Sequence, residues 1–341
     1  MTDKNAPVEK KPLTRQDFVS NQSVRWCPGC GDYAILAVVQ KTLAAVGIPR
    51  EKTVIVSGIG CSSRFPYYVN SYGFHTIHGR APAVATGVKL ANPDLQVWVV
   101  TGDGDGLAIG GNHMHHILRR NPNIKILLFN NRIYGLTKGQ YSPTSEKGKI
   151  TKSSPAGTIE RPVNALRFAL AAEAPFVARA VDTDIVTMGN VLERAARHKG
   201  VSFVELYQNC VVFNDGAFEE VEDSATRDDF TLKLEQGKPL IFGKAKDRGI
   251  RLREGRPEVV TFKPGEPPKD ILVHDEQALP SYQYMLTQLE PPDFPAPVGV
   301  FRAVSEATLE DLMESQFKAA MKPGADDLYK LMCGRDTWEI Q

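Results

Sequence analysis

Gly102-Asp103-Gly104 closes the apolar run Gln96–Thr101, and Asn130-Asn131 closes the run Ile124–Asn130. Asp103 and Asn131 stand 28 positions apart, and the segment between them reads as one helix and one strand. In an α/β chain this sets an aspartate and an asparagine side by side at the carboxyl ends of adjacent parallel strands, where such sheets bind ligands. One carboxylate oxygen, one amide oxygen and a backbone carbonyl just beyond, at Ile133, suit a magnesium ion. Magnesium takes few protein oxygens and fills its octahedron with water and substrate phosphates. Gly102, Gly104 and Gly106 let the backbone approach a phosphate closely. A helix starting at Leu107 turns its positive end toward an anion. A lone Gly-Asp-Gly is usually only a turn. The ordered set of strand, Gly-Asp-Gly, helix, strand and Asn-Asn is far more specific.

Four of the five cysteines form a second constellation. Cys27 and Cys30 make a Cys-x-x-Cys turn in Trp26-Cys27-Pro28-Gly29-Cys30-Gly31-Asp32, leading into a helix. Cys61 follows a strand in Gly58-Ile59-Gly60-Cys61-Ser62-Ser63. Cys210 follows another in Tyr207-Gln208-Asn209-Cys210. Thiolates from separate segments hold either tetrahedral zinc or a [4Fe–4S] cluster, and spacing alone leaves both open. A zinc ribbon would carry a second Cys-x-x-Cys, and the chain has none. A redox pair at Cys27 and Cys30 would leave Cys61 and Cys210 without a role. Cys333 has no partner pattern and reads as a buried or tail thiol.

The elements that must position these residues are legible as alternation. Apolar, β-branched runs at Thr53–Gly60, Gln96–Thr101, Ile124–Asn130, Phe176–Val181 and Val201–Tyr207 alternate with helical patterns. The latter fall near Asp32–Val46, Ala81–Ala91, Leu107–Arg120, Asn164–Ala174 and Thr183–His198. Continuous apolar strands between helices predict an α/β fold, a parallel sheet covered by helices on both faces. Gly135–Val163 reads as a long loop over the strand ends. Residues 1–19 read as a disordered or extended tail, 20–215 as the cofactor domain, and 216–341 as an irregular, partner-contacting extension. Within that extension, 233–256 holds eight Lys or Arg against three acids, and eight prolines in 264–297 favour extended chain. A last helix is expected over Glu306–Lys322.

Bulk properties exclude several classes. A formal charge of +1 over 341 residues argues against a nucleic-acid protein. The start carries no apolar core for a signal peptide, and no apolar run approaches a membrane span. A cytoplasmic location with reduced cysteines is the expectation.

Cys-x-x-Cys, Gly-Ile-Gly-Cys-Ser-Ser, His75-Thr76-Ile77-His78-Gly79-Arg80, Gly-Asp-Gly-Asp and Asn-Asn-x-x-Tyr-Gly occur here in one order. Over residues 20–215 the chain resembles the beta subunit of a 2-oxoacid:ferredoxin oxidoreductase. The resemblance implies a thiamine diphosphate-binding fold, diphosphate side. It also implies a CoA-dependent oxidative decarboxylation that sends electrons through a [4Fe–4S] cluster to ferredoxin, or the reverse carboxylation. By position, Asp103, Asn131 and the Ile133 carbonyl would hold Mg2+. Ile59, Gly60, Cys61, Ser62, His78 and Gly79 would line thiamine diphosphate from one side, and Gly104, Asp105, Gly135 and Leu136 from the other. Cys27, Cys30, Cys61 and Cys210 would ligate the cluster. The stretch Arg64-Phe65-Pro66-Tyr67-Tyr68 looks more like 2-oxoglutarate-type members than pyruvate-type ones.

Among the candidate catalytic residues, Cys61 touches both expected sites. Arg64 can clamp a substrate carboxylate with two hydrogen bonds, or make a surface salt bridge. His78 can donate to the cofactor or a developing oxyanion, or serve structurally. His113 and His116 lie one helical turn apart and read as a surface pair. Thiamine enzymes of this kind take an activating glutamate from a second, pyrimidine-side domain, which is not found here. The resemblance therefore implies half an active site, completed by an alpha subunit in a heterodimer or a dimer of heterodimers. Two rivals stand beside it: a non-redox thiamine diphosphate decarboxylase or ligase subunit with structural zinc, and a zinc-stabilised binding module.

Overall fold

The computed structural model describes residues 12–321, 328–334, 338 and 340. Its strands are β1 (Thr53–Ser57), β2 (Tyr72–His75), β3 (Gln96–Gly102), β4 (Ile124–Asn130), β5 (Phe176–Val181) and β6 (Ser202–Tyr207). After these come β7 (Thr231–Leu234), β8 (Ile241–Phe242), β9 (Arg248–Arg253), β10 (Arg256–Thr261) and β11 (Ala296–Ala303).

Alternate residues of the central strands face opposite layers. Val97 and Val99 of β3 pack into one core and Trp98 and Val100 into the other, and all four are fully buried. Ile126 and Leu128 alternate with Leu127 and Phe129 along β4 in the same way. Helices Ala81–Ala91, Gly111–Arg120 and Ala165–Ala171 cover the first face, and Asp32–Val46 and Ile185–Arg197 the second. Burying each large apolar side chain this way contributes about 1.5–3 kcal/mol. Both faces are covered, so the strands lack the polar alternation of a half-exposed sheet.

The main sheet has eight strands in the order β2-β1-β3-β4-β6-β5-β11-β7. The first six are mutually parallel. All five expected strands are present. The unanticipated β2 is an edge strand with every side chain exposed, so it lacks the apolar run that marks the others.

The segment beyond residue 215, expected to be irregular, is more ordered than that. It places β11 antiparallel against β5 and β7 parallel to β11, both inside the main sheet. It also forms a small antiparallel sheet, β10-β9-β8. The proline-rich stretch contains a helix, Pro280–Leu286, because proline at the first helical position removes an N–H that has no partner there anyway. The last long helix runs Leu309–Ala320, capped by Thr308, and Lys322 lies outside the described residues.

Of the expected tail, residues 1–11 lie outside the described residues. From residue 12 the chain packs: Arg15–Phe18 forms a short turn, Phe18 is fully buried, and Val19 bridges Val69. No helix among the described residues is long and apolar enough to cross a membrane.

Candidate active site

Strands β1, β3, β4 and β6 are successive neighbours and all parallel, so their carboxyl ends form one rim. Cys61, Asp103, Asn131 and Cys210 follow these four strands in turn.

Asp103 is buried. Its Oδ2 accepts from the Ser142 hydroxyl at 2.6 Å and the Thr144 hydroxyl at 2.5 Å. Burial outweighs these bonds and raises its pKa to about 6. Both hydroxyls come from the long loop after β4, which has neither helix nor strand until Ala165. The loop was expected over the strand ends. Its two anchoring residues carry no motif and were not foreseen.

The two asparagines divide their work. Asn130 Nδ2 donates to Glu205 at 2.7 Å, and Glu205 in turn pairs with buried Arg179 at 2.8 Å. Asn131 faces the rim instead. Its Nδ2 donates to Gln208 Oε1 at 2.9 Å, and its Oδ1 accepts the Ile133 N–H at 3.2 Å.

Asp105 ties three segments together. Its Oδ1 accepts the Gly79 N–H at 2.7 Å and lies 2.8 Å from His78 Nδ1, while its Oδ2 accepts the Thr101 hydroxyl at 2.5 Å. A β carbon on Gly58 would lie 1.8 Å from that carboxylate, so the loop before Cys61 can close only over glycine. Beyond Asp105 the chain makes a π-helical turn, Asp105–Ile109, before the regular helix begins at Gly111. Such turns recur at functional sites.

One cavity of about 80 Å³ collects Ile59, Gly60, Cys61, Ser62 and His78 on one side. Asp103, Gly104, Asp105, Asn131, Ile133, Gly135 and Leu136 close the other side. Gly79 stands behind it on Asp105. Enclosed ligand sites usually span several hundred Å³, so this chain walls off only part of one.

A second cavity, about 210 Å³, is lined by all four expected cysteines and shares Cys61, Asn131, Gly135, Leu136 and Gln208 with the first. Trp26 fixes Cys61 by donating from Nε1 to its carbonyl at 2.7 Å, and its ring packs against Phe65 and Tyr68. Gly135 sits between two sulfurs: a β carbon there would lie 3.6 Å from Cys210 Sγ and 3.7 Å from Cys61 Sγ. Gln208, another residue without a sequence signal, joins the cavities. It touches Asn131, and its Nε2 donates to Cys30 Sγ at 3.3 Å.

Burial and the nearby Asp32 carboxylate push both the Cys30 and Cys61 thiols up, Cys61 to about 11. A cationic centre bound among them reverses that trend. Among the described residues, no three Cys, His, Asp or Glu side chains converge closely enough for a single metal ion. Zinc needs thiolates about 3.8 Å apart, from Zn–S bonds of about 2.3 Å. The four cysteines lining this cavity are unpaired, and so is Cys333, away from it.

Arg64 lines this cavity and the groove beside it. His113 lies against Arg80 and His116 against His115, and neither reaches the rim.

A model of the family described as thiamine pyrophosphate enzyme, C-terminal TPP binding domain, matches residues 58–206. Fold and site together define a thiamine diphosphate-binding domain of an enzyme. The chain is 49% identical to the 2-oxoglutarate oxidoreductase subunit KorB of Mycobacterium tuberculosis, over 99% of its own length and 92% of that protein's. It is 48% identical to a 2-oxoacid:ferredoxin oxidoreductase beta subunit of Aeropyrum pernix, over 56% of this chain and 60% of that one. A solved 2-oxoglutarate:ferredoxin oxidoreductase from Magnetococcus marinus, with 2-oxoglutarate, coenzyme A and succinyl-CoA bound, superimposes with a TM-score of 0.77. That match has 33% identity and covers 97% of this chain and 99% of that one. The chain belongs to the family of 2-oxoacid:ferredoxin oxidoreductase beta subunits, and it is one subunit of a hetero-oligomeric enzyme.

Proposed function

We propose that this chain holds the diphosphate half of thiamine diphosphate and a [4Fe–4S] cluster in an enzyme that oxidises 2-oxoglutarate to succinyl-CoA. The reaction joins the acid to coenzyme A, releases carbon dioxide and passes two electrons to ferredoxin. The names of the Mycobacterium tuberculosis relative and the ligands of the Magnetococcus marinus structure support 2-oxoglutarate. The observation that carries the reading is the wall common to the two cavities, with Cys61 in both.

When bound, thiamine diphosphate supplies the electron sink for decarboxylation, and the cluster supplies one-electron redox capacity. Asp103, Asn131 and the Ile133 carbonyl would hold Mg2+ against the diphosphate. Gly104 lets the backbone approach the phosphates, and Asp105 keeps His78 and Gly79 in place. His78, with Nδ1 2.8 Å from Asp105 Oδ1, would stand beside developing negative charge. Arg64 would clamp the substrate carboxylate. Cys27, Cys30, Cys61 and Cys210 would ligate the cluster. The cavity they share, about 210 Å³, leaves room for a four-iron core.

An alpha subunit would complete the small cofactor cavity with its pyrimidine side and provide most coenzyme A contacts, in a heterodimer or a pair of them. The segment 216–341 would contact that partner. Leu312 and Phe317, more than half exposed on the last long helix, support this.

The test is anaerobic purification of the chain co-expressed with its alpha subunit. About four irons with sulfide per chain, bleaching by dithionite and ferredoxin reduction dependent on 2-oxoglutarate and coenzyme A are expected. Colourless protein containing zinc would overturn the reading.

A further inference from the structure

A polar groove of about 580 Å³ continues outward from the cofactor cavity, sharing Ile59, Gly60 and Leu136 with it. Arg25 and Arg64 both line this groove, and no carboxylate does. No ion pair among the described residues involves either guanidinium. Arg25 is held where it emerges: its main-chain N–H donates to the Tyr68 hydroxyl at 2.9 Å, and the next residue is the buried Trp26. Tyr67 and His75, ring against ring at 5.0 Å, form the far wall.

Two guanidiniums without an ion-pair partner, lining one groove, suit a ligand carrying more than one negative group, since each guanidinium can take a carboxylate through two charge-assisted hydrogen bonds. A monocarboxylic 2-oxo acid uses one of them. A dicarboxylic acid uses both.

We propose that Arg25 and Arg64 form a two-guanidinium seat for a dicarboxylic 2-oxo acid, with Arg25 taking the carboxylate remote from the keto group. This rests on the function proposed above and makes Arg25 a specificity residue of it. The same groove chemistry would also accept phosphates of coenzyme A, and the test separates these sources.

In the complete enzyme, Arg25→Gln is expected to raise the KM for 2-oxoglutarate about 30-fold with kcat, coenzyme A KM and thiamine diphosphate affinity unchanged. Arg25→Lys is expected to recover part of the loss. A raised coenzyme A KM with an unchanged 2-oxoglutarate KM would overturn the seat in favour of a phosphate site. An unchanged KM for both, or a matched fall in kcat and cofactor affinity, would also overturn it. If the unaltered enzyme does not oxidise 2-oxoglutarate, the function proposed above has failed. Calorimetry with glutarate and butyrate then tests the seat alone. Preference for glutarate, lost in Arg25→Gln, supports it, and equal weak binding of both overturns it.

Discussion

The Tyr134 ring lies so close over Gly104 that a β carbon at position 104 would sit 2.2 Å from it, and the Tyr134 hydroxyl donates to the Gly104 carbonyl at 2.9 Å. The tyrosine after β4 thus packs on the turn after β3 and lines the same cavity with it. Gly104→Ala is expected to displace Tyr134 and weaken Mg2+-dependent thiamine diphosphate binding at least tenfold, measured by calorimetry on the complex. Tyr134→Phe, which keeps the ring and loses one hydrogen bond, should cost about 1 kcal/mol. Equal effects of the two would show that the close approach is unimportant.

The two hydroxyls on Asp103 make a second prediction. Hydrogen bonds to a charged group are worth about 1.5–3 kcal/mol. Ser142→Ala and Thr144→Ala should each weaken cofactor binding about tenfold, and the double variant should lose less than the product, since the two share one oxygen. Titration of Mg2+ at fixed cofactor would check this.

The cysteines divide cleanly in expectation. Cys27→Ser, Cys30→Ser, Cys61→Ser and Cys210→Ser should each lose cluster iron and ferredoxin reduction. Cys333→Ser, changed on the helix Leu328–Cys333, should keep both. Iron and sulfide assays with electron paramagnetic resonance of the reduced enzyme make the comparison. Iron lost equally from Cys333→Ser would undo the assignment.

How far the sequence reached follows from what each part depends on. Period and run length exposed β1, β3, β4, β5 and β6, because each is buried on both faces. Motifs singled out Asp103, Asn131 and the four cysteines, because residue types suited to metal binding at set spacings can be read along the chain. Ser142, Thr144 and Gln208 were invisible: a hydroxyl or amide in a loop becomes meaningful only when the fold brings it to Asp103, Asn131 or Cys30. β2 and β11 were missed for opposite reasons. One is too exposed to show a pattern, and the other pairs with a strand far back in the chain.

His198 offers a pH test away from the site. It is half-buried against Phe176, and burial followed by the Lys125 charge lowers its pKa from 6.5 to about 4. The unfolded chain takes up this proton below about pH 6.5 and the folded one only near 4. Stability is therefore fully present above 6.5 and lost as pH falls through that window. The shift corresponds to about 3 kcal/mol, and partial exposure reduces it to about 2. His198→Gln should match the natural chain at pH 7 after a constant offset and gain on it at pH 4.5, by urea midpoint. Asp32 and Glu222, each raised to about 7 by burial, act in the opposite direction, and the paired comparison cancels them.

The basic stretch 233–256 can be tested as a ferredoxin contact. Arg248 already pairs with Asp229, and Lys244 and Lys246 are exposed in the turn before it. Gly243 donates to the Asp228 carbonyl at 3.0 Å, next to the start of β7. That turn lies at the rim end, three strands beyond β6, or about 14 Å by strand spacing. Lys244→Glu with Lys246→Glu should raise the ferredoxin KM several-fold at low salt and less at high salt. An unchanged KM would place docking elsewhere.

The antiparallel pairing of β11 with β5 has a consequence for synthesis. Every residue proposed for the cofactor and cluster has been synthesised once Cys210 is made. Yet Ala296, where β11 begins, comes 115 positions after Val181, the end of β5. Until then β5 presents an unpaired edge, the kind of surface on which chains stick to one another. A nascent chain that has all its ligands is therefore still open along one side. Loading cofactors early would not protect it, and whatever shields that edge must stay until the last strands arrive.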